Sequence, residues 1–322
     1  LSARARSLVF AAAVFALTGL GASRVTLVGH ELVGHGAVAA AQGCDIVAYR
    51  LFLFGGGWVS YDCDGSRSLT DALAVSLGGI VVEVVLAGLA LWVASRLARG
   101  SVARVALVSL ATVDLLHAGF YLAAGTHHGF GDGHLLHEAL GGWRPLLVIP
   151  ASMAVIAGGA LLAWRLAREV GGWVQGRVAA RIGTILAAAV VAGAVHGALT
   201  ASERALRSDD VYARIMRHQS EREVSRDLDR FRRDARARGR APTAAELAAA
   251  RAAFEALHRR FPLRAVLAVA LGLACLFGLW WGMRDPAPDA AGLPARWRAL
   301  VPLGAVTLGS VIAVYLIDLG GG

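Results

Sequence analysis

No lysine occurs in the 322 residues, so the net charge of +9 rests wholly on arginine. Together with the abundance of Ala, Gly and Arg, this absence points to a high-GC coding bias rather than to a chemical demand. Cysteine is nearly as scarce. Cys44, Cys63 and Cys275 are too few for a disulfide scaffold, and none sits in a CxxC zinc pattern. Charged residues make up only 17% of the chain against 57% hydrophobic ones, with mean hydropathy +0.58. That balance excludes an ordinary soluble enzyme and fits a polytopic membrane protein. Internal repeats are absent too, which argues against an inverted-repeat transporter. Sixteen of the 32 arginines fall between residues 203 and 264. Beside membrane spans, contact with anionic lipid headgroups accounts for them more economically than nucleic acid, and no nucleic-acid partner is expected.

What is present is a concentration of chemistry near the N-terminus. Val28-Gly29-His30-Glu31-Leu32-Val33-Gly34-His35-Gly36 sets two imidazoles and a carboxylate within six residues of an apolar segment. In HExxH on a helix, two His one turn apart bind zinc and the Glu acts as general base. Here one residue is inserted. At about 100° per residue, positions i and i+5 of an α-helix point about 140° apart and cannot grip one ion. The spacing therefore predicts a π-bulge, which returns both side chains to one face, and Gly29, Gly34 and Gly36 give the backbone room for it. Seven of the ten histidines lie between residues 30 and 137, which favours one metal-centred core.

HELVGH is similar to the HExxxH motif of the dipeptidyl peptidase III family over those six residues only. From residue 24 to about 140, the order of features resembles the site-2 protease family of intramembrane zinc metalloproteases: a motif helix, a β-hairpin, then an Asp-Gly. The resemblance implies zinc as cofactor, Glu31 as catalytic base, and His30, His35 and Asp132 as metal ligands. The family's Leu before Asp-Gly and its preceding prolines are missing, and Asp114, His128 and His134 stand as alternatives for the third ligand; a plain helix cap is the other reading of Asp132. The family's Gly-Pro and Asn are absent from the helix that holds Glu83, so no oxyanion role carries over to that residue. Glu83 is either functional or a neutral buried partner of a neighbouring helix. Asp114 and His117, spaced i, i+3 on one helix face, either pair with each other, line a polar cavity or, the favoured reading, support the metal from behind its ligands. His196, far from the cluster in sequence, reads as a satisfied buried histidine outside the site.

The expected fold is an all-α polytopic membrane protein of about seven to eight membrane helices with a small β-hairpin after the motif helix. Residues 1–144 form the metalloprotease-like core and residues 145–202 two further spans. Residues 203–263 are a charged helical insert outside the membrane, and 264–322 supply two last spans. Arg4 and Arg6 precede a retained first span at 7–22, with a bend at Gly19, Gly21 and Ser23 or one long broken helix running on to 42. Residues 45–63 carry the hairpin signal, aromatic and β-branched residues around Gly55-Gly56-Gly57. Cys44 and Cys63 flank it and either pair, if it faces an oxidising compartment, or stay unlinked; the family resemblance implies the cytoplasmic side. Thr70 and Asp71 are cap candidates for the next helix, and Thr243 with Glu246 forms a capping box. The chain is expected in a bacterial inner (cytoplasmic) membrane as a zinc endopeptidase, its partners the lipid bilayer and a membrane-protein or peptide substrate. The alternatives are a non-enzymatic metal-binding or metal-transporting protein and a degenerate protease acting as a binding protein.

Overall fold

The protein, analysed as a computed structural model, is described at residues 2–65, 67–207, 224–225, 227–257, 261–286 and 297–320. Among these residues seven helices are long and apolar enough to cross a membrane, and the chain is a multi-pass membrane protein. They are α1 (Ala3–Ala41), α2 (Leu69–Arg96), α3 (Val102–His128), α5 (Pro145–Trp173), α6 (Val178–Leu206), α8 (Leu263–Gly282) and α9 (Leu300–Leu319). Two shorter helices, α4 (His134–Leu140) and α7 (Ala244–Leu257), lie between spans.

α1 is one continuous 39-residue helix, about 58 Å at 1.5 Å per residue, so the expected bend at Gly19–Ser23 does not form. One neighbour bears on this: Gly21 lies against Thr307 of α9, whose hydroxyl donates to the Leu17 carbonyl at 2.9 Å, so Gly21 serves close packing. A core around Phe10, Val14, Val105, Val170 and Trp173 ties α1 to α3 and α5 at the end of the bundle far from the motif. α2 is capped by Ser68, whose hydroxyl accepts the Asp71 N–H at 3.1 Å, not by Thr70 or Asp71. The Thr243–Glu246 capping box is formed, each residue's side chain accepting the other's backbone N–H. Of the expected exposed helix at 203–240, much falls outside the described residues; 227–237 is helical.

The hairpin pairs β1 (Asp45–Leu51) with β2 (Gly57–Asp62) antiparallel, with an irregularity between Ile46 and Ala48. Cys44 and Cys63 close its open end as a disulfide, Cα atoms 4.3 Å apart. β1 is covered along its outer side by the end of α9, where Leu51 N–H donates to Asp318 Oδ1 at 2.7 Å and the Tyr49 hydroxyl to the Ile317 carbonyl at 3.0 Å. The turn between the strands is held by α6 and α1. Glu203 accepts the N–H groups of Leu53, Phe54 and Gly55 at 2.5, 2.7 and 3.2 Å, while Arg24 donates to the carbonyls of Phe52 and Gly55. Among the described residues β2 pairs with no strand on its other edge.

Candidate metal centre

Residues Gly29–Gly36 of α1 are wound as a π-helix. Its i to i+5 pitch brings the two imidazoles edge to face, ring centroids 4.8 Å and Nε2 atoms 3.2 Å apart. Glycine on both helices makes room for this turn against α2. A Cβ on Gly34 would fall 2.4 Å from the Gly79 Cα, and one on Gly78 would fall 2.1 Å from the Gly34 carbonyl oxygen. Gly79 is also the bare surface under the His30 ring, where a Cβ would meet ring atoms at 2.6 Å.

Each ring has an acceptor close to Nδ1. His35 Nδ1 lies 2.7 Å from the Val75 carbonyl, which can only accept, so Nδ1 carries a proton and the neutral ring presents its lone pair at Nε2. His30 Nδ1 lies 2.8 Å from Glu83 Oε1, off the ideal hydrogen-bond direction yet close enough for the carboxylate to select the same tautomer. Glu83 is fully buried and also lies 2.5 Å from His117 Nδ1. A buried carboxylate behind a ligand imidazole is the usual way of fixing ring orientation and raising basicity at a metal.

Asp132 reaches the same point from the α3–α4 loop, Oδ2 at 3.0 Å from His30 Nε2 and Oδ1 at 3.2 Å from His35 Nε2. Gly129 and Gly131 turn the chain through left-handed φ values of 72° and 52°. The Ser76 hydroxyl of α2 then donates to the Asp132 carbonyl at 2.8 Å. Asp132 is not a helix cap: Gly133 precedes α4, with no side-chain cap bond.

The rivals for third ligand lie elsewhere. Asp114 accepts from the Thr26 hydroxyl, His134 faces the Gly129 carbonyl and Glu138, and His128 packs on His127. Asp114 therefore cross-links α3 to α1 and does not back the ligands, a correction to the support of the metal expected of it together with His117; His117 reaches the site, through Glu83.

The donor set fits a small tetrahedral cation. The edges of a tetrahedron with bonds of 2.0–2.1 Å are about 3.3–3.4 Å, close to the observed separations of 3.0, 3.2 and 3.2 Å. Asp132 Oδ2 is buried and makes no hydrogen bond, an acceptor that a cation would satisfy. Two imidazoles and a carboxylate suit zinc and leave a fourth position open.

Glu31 and the three donors line a cavity of about 1040 Å³. The Glu31 carboxylate makes no hydrogen bond or ion pair with the described residues. Opposing walls come from Gly57, Trp58, Val59 and Tyr61 of β2 and from His117 and Tyr121 of α3. His196 of α6 lines the cavity as well, together with Arg24, Thr200 and Arg204; it is half-buried rather than buried as expected, and it is in neither group of potential metal ligands. Sequence reasoning also missed the partnership of Glu83 with His30 and the Glu203 anchor under the hairpin turn. The isolated intramembrane carboxylate was the available signal for Glu83; none pointed to its partner. Comparison with family models, curated proteins and solved structures finds no match, so the site is read from its own geometry.

Proposed function

We propose that this chain is a membrane-embedded zinc endopeptidase that cuts extended segments of membrane-anchored proteins, in a bacterial inner membrane. The observation that carries the reading is the convergence of His30 Nε2, His35 Nε2 and the Asp132 carboxylate at one point, beside an unpaired Glu31, in a cavity walled by an open strand. When bound, zinc supplies an acidic water and a Lewis acid for the scissile carbonyl. Glu31 takes the proton of the attacking water and returns it to the leaving amine. Acceptors at Nδ1, Glu83 for His30 and the Val75 carbonyl for His35, would leave each Nε2 to serve as a metal ligand, so that Glu31 is the base free to take the proton. An extended substrate pairs with the open edge of β2, since unfolding a helical segment exposes the bond to be cut and strand addition restores its backbone hydrogen bonds. The deciding experiment is Glu31→Gln in the purified full chain: zinc should stay bound while cleavage of a membrane-anchored reporter disappears. Cleavage that persists at the wild-type rate refutes the mechanism.

The disulfide bears on orientation. Disulfides persist in oxidising compartments, so on this reading the hairpin and the cavity face away from the cytoplasm, the reverse of what the family resemblance implies. A membrane-impermeant thiol reagent applied to whole cells should label Cys44 and Cys63 only after an impermeant reductant. Labelling exclusively in permeabilised cells, with no reductant, would reverse the orientation.

Ion transport is the second reading, and one observation favours it: His30, Glu83 and His117 form a further cluster of potential ligands that shares His30 with the first. Metal flux in proteoliposomes that survives Glu31→Gln would select it.

A further inference from the structure

Arginine crowds the helix ends opposite the hairpin with little acid to match it. At the end opposite the hairpin, residues 96–104 and 164–181 carry seven arginines and a single carboxylate, Glu169. α2 and α5 finish there, while α3 and α6 begin there. Between the start of α3 and the end of α5 lies a cleft of about 220 Å³, lined by Arg99, Arg104, Trp164, Arg165, Arg168 and Glu169.

The cleft is a built feature. Glu169 is buried, and both of its oxygens are used: Oε1 accepts from Arg104 Nε at 2.7 Å and Oε2 from the Gly100 N–H at 2.7 Å. The Arg104 guanidinium also donates to the Leu97 carbonyl at 2.9 Å, and the Trp173 indole N–H to the Gly100 carbonyl at 2.9 Å. These bonds fix the α2–α3 turn against α5 and consume the one carboxylate of the cleft. Arg168 lies over the Trp164 ring at 5.2 Å and pairs with Asp285, which is largely exposed. Arg99 and Arg165 have no hydrogen-bonding or ionic partner among the described residues. Four guanidiniums thus face a small volume with two carboxylates to balance them, and like charges held this close repel unless an anion intervenes.

Two features identify the anion as the head of an amphiphile. Trp164 lies in the last turns of α5, and indoles concentrate where hydrocarbon meets headgroups. One turn deeper on α5, on the same face as Arg165, Leu161 is exposed and offers an apolar track for an acyl chain. The cleft is smaller than the roughly 300–1,000 Å³ of drug-sized ligand pockets, which suits a phosphodiester headgroup better than a nucleotide or a peptide. We infer that this cleft binds the headgroup of an anionic phospholipid, with Arg99 and Arg165 as the phosphate-contacting residues and Arg104 and Arg168 as fixed flanks.

The test uses the full chain in nanodiscs of equimolar phosphatidylcholine and phosphatidylglycerol, re-extracted into neutral detergent, with retained lipid counted by native mass spectrometry. Wild type should retain phosphatidylglycerol and lose phosphatidylcholine. The double variant Arg99→Gln/Arg165→Gln should retain phosphatidylglycerol roughly tenfold or more less well, since each arginine near a lipid surface matters appreciably. It should melt at the wild-type temperature, because neither side chain holds the fold. Arg6→Gln/Arg177→Gln, two exposed arginines at the same end of the bundle but outside the cleft, should retain lipid as wild type does. Equal loss in both pairs would mean diffuse surface attraction and overturn the site, as would unchanged retention in the cleft pair. Displacement of the lipid by excess inorganic phosphate would make this a free-anion site and overturn the lipid assignment.

Discussion

Two polar clusters flank the hairpin, and they treat their buried charges in opposite ways. Around Glu203 and Asp318, nearly every donor and acceptor is matched: three backbone N–H groups and Arg207 meet Glu203, while the Leu51 N–H, Arg50 and Arg207 meet Asp318. Around His30 and His35, two imidazole nitrogens and a carboxylate converge on one point, and Asp132 Oδ2 and Glu83 Oε2 are buried with no hydrogen bond. A buried group left without a partner costs on the order of 1–3 kcal/mol. The first cluster spends its polar groups on holding a turn; the second leaves them poised for something outside the chain. Saturation and convergence thus distinguish scaffold from site even where both are carboxylates inside a membrane protein.

The comparison breaks most sharply at the ligands. His35→Ala should reduce zinc in the purified protein from stoichiometric to background, as read by elemental analysis, with little change in melting temperature. Zinc at full occupancy in that variant would remove the metal assignment. Glu203→Ala should do the reverse. It strips the partners from three backbone N–H groups and a nearby arginine, and loss of one member of a buried pair costs about 3–5 kcal/mol. Thermal melting in detergent should therefore fall clearly while zinc content holds. Glu83→Gln sharpens the contrast with the smallest effect: the amide keeps the shape behind His30 and loses the charge. Metal affinity should drop by roughly 10–100-fold, as for other residues that orient ligand histidines, measured by chelator competition. If instead Glu83→Gln lowers stability and leaves affinity untouched, Glu83 belongs with Glu203 among the structural carboxylates.

Much of the site was legible in the sequence because its unusual part is local. One extra residue between His30 and His35 cannot be reconciled with 3.6 residues per turn, so the π winding follows from spacing alone, and the observed turn spans Gly29–Gly36. The membrane helices follow from runs of apolar residues, and the hairpin from three glycines between β-forming stretches. Asp132 was accessible only through its place in a recognised order of features. What could not be read was which distant groups meet. Glu83 could as well have faced Asp114 as His30; the crossing of α1 on α2 at Gly34, Gly78 and Gly79 settles that. His196 seemed remote at a separation of over 150 residues, yet α6 carries it to the cavity wall.

Sequence by itself therefore determined the spans, the hairpin and the winding that turns two histidines to one face, because each depends on neighbours within a few residues. Only the tertiary structure decided that Glu83 stands behind His30, that Glu203 and Asp318 anchor the hairpin and leave β2 open, and that arginines from α3, α5 and the α2–α3 turn share one cleft. Those pairings depend on where helices cross. Helix crossings are set by the summed packing of small and large side chains over whole faces, which no local spacing encodes.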